Sequence, residues 1–428
     1  MRTARWIPAA AAVAVAAWGA NQFTALATVY RARTDWSAMS LAAMFSVYLV
    51  GLVPGLLLGG PAADRYGRRR TVRGALGLSA AASVLLALGD EPSVYAARLG
   101  TGFAAGLVFL AGTTWLRELS GPEVTPGDGA RRAMYATGTG FAAGALVSGV
   151  IAEWLPGPTA LPGLAHALGC LLVLRATRRL PETTETETTP SRCTPQLRTA
   201  AVRHPRFRYV VLPASPAVLG AATVAYVVLP PLVADRVPGY APLFSGLVAA
   251  LTLTTGVVAQ PFAARLDDAH SARATLTAMA TVIAGLLLGA LAAARDSVGL
   301  VVAAALVLGT GYGLTLGAGL HEVERLAPGR TARHSGPTSA SLYQSTTSSG
   351  FLTPLLLAGT SGHASYPALL AGMAAVGLLC LAVTAAHSRR HLPGPHHRHP
   401  APGGRGKSED SFVQSGLTPP RSRRRWAE

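Results

Sequence analysis

Charge is what this chain has least of. Only 13% of its 428 residues are charged, 50% are hydrophobic and the mean hydropathy is positive, a balance that excludes an ordinary soluble domain. Lysine is nearly missing, with Lys407 alone against 36 arginines, which reflects base composition rather than chemistry. The three cysteines, Cys170, Cys193 and Cys380, lie far apart and outside any metal-ligand spacing, so neither a disulfide framework nor a zinc site follows. No G-x-x-x-x-G-K-[ST] loop is present, which counts against a nucleotide-driven pump. No nucleophile, metal or acid–base constellation suggests an enzyme, and no cofactor is expected. The net charge of +17 comes in clusters separated by long apolar runs rather than on one polar face, which excludes nucleic acid as a partner.

Long apolar runs are what the chain does have. A hydrocarbon core about 30 Å thick needs roughly 20 helical residues. Twelve runs approach that length, with limits 6–29, 37–60, 71–89, 92–115, 133–153, 158–176, 209–233, 242–263, 272–294, 297–320, 335–359 and 363–386. The first, preceded by Arg2 and Arg5, has a signal-peptide flavour around "AAWGA", but it continues to Val29 and is read as a retained helix. Twelve spans put both termini on one side. With that side cytoplasmic, only Arg31, Arg33, Arg236 and Arg295 fall in outer loops, the asymmetry expected of a multi-pass protein in the lipid bilayer.

The second run ends in "GGPAADRYGRRR", Gly59 to Arg70. Its arginines anchor an inner loop, but that alone explains neither the glycines nor the aspartate. Gly60 permits close helix approach, Gly67 suits a tight turn, and Asp64 is carried to the surface, where a helix N-terminus and arginines stabilise a carboxylate. The stretch resembles the loop motif G-x-L-A-D-R-x-G-R-[RK] of the major facilitator superfamily. Gly60, Ala63, Asp64, Arg65, Gly67, Arg68 and Arg69 match, and Ala62 replaces the usual leucine. "LPET", Leu180 to Thr183, is also similar to that family. The resemblance implies an all-α polytopic membrane protein of twelve transmembrane helices in two pseudo-symmetric six-helix halves, with this loop as a conformational latch.

An internal repeat supports the two halves independently. "ARLGTGFAAGL" from Ala97 aligns with "LVLGTGYGLTL" from Leu306 at an offset of 209, and Tyr135 pairs with Tyr343 at 208. Pro61 to Arg65 has a worn copy in Pro261 to Arg265, where Ala264 replaces the aspartate. The expected organisation is a first six-helix bundle over 1–177, a cytoplasmic linker over 178–207, a second bundle over 208–386 and a disordered basic tail over 387–428. The tail suits contact with anionic lipid or weak metal capture, or has neither role.

Arg98 is the one arginine within a span. It either snorkels to the outer surface or faces the bundle interior. "RLGTGFAAG" resembles the superfamily motif R-x-x-x-G-x-x-x-G, with Arg98, Gly102 and Gly106 in place, which implies a role in coupling or substrate handling. Asn21 and Gln22 lie at similar depth, and either amide oxygen could accept from the guanidinium or simply join helices. Gly140, Gly144 and Gly149 resemble the antiporter motif G-x-x-x-G-P-x-x-G-G, although Ala145 replaces its proline and Ser148 a glycine.

Tyr135, Tyr343 and Gln344 complete the expected cavity lining with Asn21, Gln22 and Arg98. No carboxylate falls within a span, so a coupled proton would need Asp64, Glu118, Asp35 or a histidine such as His321. The missing anionic site also favours a neutral or anionic amphipathic solute facing Arg98. The reading is a monomeric secondary transporter of a small molecule in a bacterial cytoplasmic membrane, with protons as a candidate coupling ion. Efflux antiport of a drug-like or secondary-metabolite compound comes first. The alternatives are import of a small nutrient such as a sugar or organic acid, and a sensor without flux.

Overall fold

The computed structural model describes residues 5–121, 128–183, 204–268, 270–326 and 343–390. Those residues are almost entirely helical and contain no strand ladder, only an isolated bridge between Asp268 and Ser271. The helices are α1 (Trp6–Arg33), α2 (Ala38–Tyr66), α3 (Arg68–Leu86), α4 (Glu91–Leu119), α5 (Asp128–Trp154), α6 (Leu161–Ala176), α7 (Phe207–Leu232), α8 (Ala241–Ala259), α9 (Arg273–Arg295), α10 (Val298–Arg325), α11 (described over 343–360) and α12 (Tyr366–His387). Among the described residues nine are long and apolar enough to cross a membrane. The others are α3, which opens on three arginines, α6, which has 16 residues, and α11, which a 3-10 turn at Ser349–Leu352 interrupts.

Helices satisfy their backbone groups internally, as hydrocarbon requires. Their outward faces are correspondingly apolar, with Leu171 and Leu172 on α6 and Leu378 and Leu379 on α12 more than half exposed. Several helices outrun the apolar limits read from sequence: α1 continues to Arg33, α2 to Tyr66, α4 to Leu119 and α10 to Arg325, and α5 begins already at Asp128. Hydropathy marks where the hydrocarbon ends, whereas the backbone ladder continues into the polar layer.

Local chemistry sets the helix ends. Ser37 caps α2 by accepting from Ser40 N at 3.0 Å. Asp90 caps α4 by accepting from Ser93 N at 3.1 Å, and these Ser93 hydrogen bonds hold its carboxyl below the usual range. Between α2 and α3 the chain turns on one residue, Gly67, at φ 90°, a conformation strained for any side chain.

Helices α1–α6 and α7–α12 form two six-helix bundles, and glycines set the tightest contacts within each. Gly102 and Gly106 of α4 lie against the Tyr48 and Leu52 carbonyls of α2. In the second bundle Gly309 and Gly313 of α10 lie against the Thr252 and Gly256 carbonyls of α8. These equivalent contacts are 207 residues apart, two fewer than the letter match of L-G-T-G, which aligned the wrong glycines of each run. Between bundles, Gly149 of α5 meets Pro242 and Gly246 of α8, and Leu243 N donates to the Glu153 carboxylate at 3.4 Å.

Candidate functional site

Arg98 does not snorkel. It is 1% exposed and its guanidinium donates to three backbone carbonyls, Ala20 at 3.0 Å, Phe45 at 3.2 Å and Met44 at 3.3 Å. The rings of Phe23, Tyr48 and Phe45 surround it at 5.0, 4.8 and 5.6 Å from their centroids. An arginine has five N–H donors, so two have no acceptor among the described residues. No carboxylate among those residues pairs with it either. Carbonyl dipoles solvate the cation without neutralising it, which leaves a net positive charge among the rings.

The expected pairing of Arg98 with Asn21 or Gln22 is not what the structure shows. Backbone carbonyls of α1 and α2 take the guanidinium, while Gln22 Nε2 donates to Ser83 Oγ on α3 at 3.1 Å. Both amides are buried, Asn21 at 2% and Gln22 at 1% exposure. The Gln22 Oε1 and the Tyr48 hydroxyl are buried without a partner among the described residues.

Residues from the second bundle close over this site. Phe351 of α11 packs on Phe45 and Tyr48 at 5.6 and 5.3 Å between centroids, and Tyr226 of α7 meets Phe45 edge-on at 6.4 Å. At the 3-10 turn of α11 Gly350 O accepts from Thr353 N, Pro354 having no N–H to offer, and hydroxyls from both bundles also reach carbonyls of this turn. Thr223 Oγ1 donates to Gly350 O at 3.2 Å, and Ser46 Oγ of α2 donates to Phe351 O at 3.0 Å. Irregular backbone recurs nearby as π-type turns at Val108–Gly112 in α4 and Val224–Val228 in α7, a feature frequent at functional sites.

The latch loop departs from its expected electrostatics. Asp64 has a side chain 76% exposed and only a 3.8 Å approach to Arg68 NH1 one turn on. The carboxylate at the N-terminus of α3 is instead Glu182, which accepts from Arg68 N at 2.8 Å and Arg69 N at 3.2–3.3 Å. Arg68 Nε pairs with Glu118 of α4 at 2.8 Å, the Thr183 hydroxyl donates to Glu118, and Arg69 NH1 donates to Leu180 O at 3.0 Å. Arg65 lies over the Tyr66 ring at 5.3 Å. Gly60 faces only the tip of the Leu110 side chain of α4, at ordinary contact distance, and no neighbouring backbone.

The second bundle carries a more deeply buried network. Arg206 and Glu322 are 0% and 2% exposed and form a bidentate pair at 2.6 and 2.8 Å. Arg206 also donates to the Ser388 and Arg390 carbonyls, and Arg325 joins Glu322 to Asp267. Sequence reading missed this pair by ending its spans at 320 and starting at 209. The packing offset of 207 sets Glu118 opposite Arg325, which bonds to Glu322, so only a neighbour of the pair was signalled by the repeat. His321, half-buried and with its Nδ1 lacking a partner among the described residues, lines a surface cavity of about 420 Å³ with Asp267, Glu324 and Arg325.

The remaining candidates are scattered. Tyr343 is buried, donating to Thr315 O at 3.1 Å and packed on Gly319, while Gln344 is half-buried and Tyr135 is 46% exposed on α5. Gly140 and Gly144 lie against the Ala14 and Trp18 carbonyls of α1, so they serve packing here. The linker beyond Thr183, the tail beyond Arg390 and the start of α11 lie outside the described residues. Sequence reading also missed His166 of α6, which is 0% exposed.

Comparison with known proteins bears on the whole arrangement. The 3-(3-hydroxy-phenyl)propionate transporter of Escherichia coli (strain K12) is 38% identical over 86 residues, a match spanning 20% of this chain and 21% of that protein. Among solved structures, the nucleoside transporter NupG aligns with a TM-score of 0.69 at 14% identity over 90% of this chain and 99% of that one. The D-xylose-proton symporter aligns with a TM-score of 0.67 at 15% identity over 91% and 98%. At such identities these two establish the fold. The family model of the major facilitator superfamily matches residues 9–340, well over half of the chain. With two six-helix bundles meeting over a buried arginine, the chain belongs to the major facilitator superfamily, as a non-enzymatic, multi-pass membrane transporter of small solutes.

Proposed function

We propose that this transporter imports a small organic anion, of the aromatic carboxylate class, together with protons. The observation that carries the reading is Arg98, a buried guanidinium with no carboxylate partner among the described residues, two free N–H donors and a box of Phe23, Phe45 and Tyr48. A carboxylate on an aromatic body matches both halves of that environment, charge to guanidinium and ring to rings. The partial match to a hydroxyphenylpropionate transporter and the likeness to a proton symporter support import better than the export suggested by Gly140, Gly144 and Gly149.

In this reading Phe351 and Tyr226 withdraw from Arg98 as the bundles rock, and the Gly60–Arg69 loop with Glu118 and Glu182 steadies one of the two end states. Asn21, Gln22, Tyr135, Tyr343 and Gln344 contribute along the path. The protein works as a monomer in a bacterial cytoplasmic membrane with both termini inside.

The test is uptake into proteoliposomes of labelled 3-(3-hydroxyphenyl)propionate, D-xylose and uridine, with and without an acid-outside gradient. Gradient-driven accumulation of the arylcarboxylate alone is expected. Accumulation of the sugar or nucleoside instead, or gradient-driven export of drug-like compounds without arylcarboxylate uptake, overturns the proposal.

A further inference from the structure

Among the groups proposed from sequence as proton carriers, Asp64 and Asp35 are exposed, Glu118 is held by Arg68 and Thr183, and His321 is half-buried beside a surface cavity, its Nδ1 without a partner among the described residues and so outside any hydrogen-bonded chain through that nitrogen. His166 differs from all of them. It is fully buried in the middle of α6 and bridges three helices. Its Nε2 is 2.9 Å from Val15 O of α1, and its Nδ1 is 2.6 Å from Ser83 Oγ of α3. A carbonyl can only accept, so Nε2 carries the hydrogen, and in a neutral imidazole Nδ1 must then accept from the Ser83 hydroxyl. Ser83 Oγ in turn accepts from Gln22 Nε2, which leaves Gln22 Oε1 buried and without a partner among the described residues. The hydrogen bonds run one way, from Gln22 through Ser83 to His166.

We infer that His166 is the proton-binding site of this transporter, and that the Ser83–Gln22 chain reports its protonation to the Arg98 site. When a proton from the water of the acidic side binds Nδ1, that nitrogen becomes a donor to Ser83 Oγ. The Ser83 hydroxyl must then find another acceptor. Gln22 supplies one by turning its carboxamide, which brings the orphaned Oε1 to Ser83 and swings Nε2 toward the place Oε1 occupied. Gln22 stands on α1 between Ala20, whose carbonyl binds Arg98, and Phe23, whose ring lies against it. Release of the proton to the opposite water reverses the chain, so each cycle binds and loses one proton with no other bond changed.

The surroundings of His166 allow this. The groups facing the imidazole are the Ser83 hydroxyl, the Val15 carbonyl, the Trp18 ring edge at 5.6 Å between centroids and the Cys170 thiol, whose sulfur is 3.6 Å from Nε2. Among the described residues the charged side chains of α1, α3 and α5, the helices packed on α6, lie in their first two or last turns. Arg98 of α4, bonded to the Ala20 carbonyl two residues before Gln22, is the fixed charge that this hydrogen-bonded chain leads to, and like charges oppose one another. A solute carboxylate at Arg98 removes that opposition, so solute and proton each raise the other's affinity, which is what symport requires.

The inference rests on the proposed anion import, and one experiment separates the two. Proton uptake is measured with a pH indicator in weakly buffered detergent solution while 3-(3-hydroxyphenyl)propionate is added to the full-length protein, with binding followed calorimetrically. Wild-type protein should bind and take up close to one proton, and His166→Asn should bind with that uptake abolished. Absence of binding by wild-type protein withdraws the anion reading and this inference together. Binding without proton uptake in wild-type protein, or equal uptake in His166→Asn, overturns the inference alone. Should His166→Asn fail to bind, Ser83→Ala keeps the imidazole and removes its partner. A shift of about one unit in the pH midpoint of proton uptake supports the chain, and an unmoved midpoint overturns it.

Discussion

Arg98 shows how a single charge can organise a membrane site. Three carbonyls and three rings hold it in place and none carries a negative charge, so under the proposed anion import it is the solute that brings the counter-charge. Replacing it with glutamine keeps a donor and removes the charge. Losing one partner of a buried, hydrogen-bonded charge pair costs at least about 2 kcal/mol, so Arg98→Gln should weaken arylcarboxylate binding by about thirtyfold or more, measured by calorimetry; an unchanged affinity would move the anion elsewhere. Glu322 poses the opposite case, a charge already matched by Arg206. Glu322→Gln strands that guanidinium and should destabilise the second bundle by about 3–5 kcal/mol, whereas Arg206→Met with Glu322→Leu should recover most of the loss. Thermal unfolding in detergent compares the two, and equal losses from the single and double changes would rule out a stranded charge. Neither Arg206 nor Glu322 stood out in the letters, because hydropathy alone assigned both to loops.

At the scale of elements, the turn from α2 to α3 depends on one glycine and one distant carboxylate. Gly67 adopts φ 90°, and the space a Cβ would fill there already holds the Glu182 carboxylate. Glu182→Ala should remove the cap of α3 at a cost of about 1 kcal/mol and slow turnover without changing solute affinity. A parallel loss of affinity would place Glu182 in the solute path. The letters around Gly60–Arg69 were readable as a motif, but the carboxylate at the helix start was not, since Glu182 lies more than a hundred residues further on. His166 was hidden for a similar reason. A lone histidine in an apolar run carries no pattern, and its partners Ser83, Gln22 and Val15 belong to two other helices. By contrast, helix number and order were legible, because membrane thickness imposes a length that a single sequence displays.

For the whole molecule, the proposed transport cycle has the bundles move against each other along α5 and α8. Gly149 and Gly246 allow their backbones to meet there, with the Pro242 and Ala145 carbonyls in the path of any added side chain. Gly149→Leu should therefore stop transport while preserving arylcarboxylate binding, because Arg98 and its rings lie on other helices; normal flux would show that this seam does not limit the motion. The repeat made the two bundles legible, and only packing showed which glycines correspond. The central claim is that Arg98 binds the carboxylate of the solute. The most direct measurement is calorimetric binding of 3-(3-hydroxyphenyl)propionate and of its uncharged amide to wild-type protein and to Arg98→Gln. The account predicts that wild-type protein prefers the acid and that Arg98→Gln loses the preference. An equal preference in both proteins would contradict it.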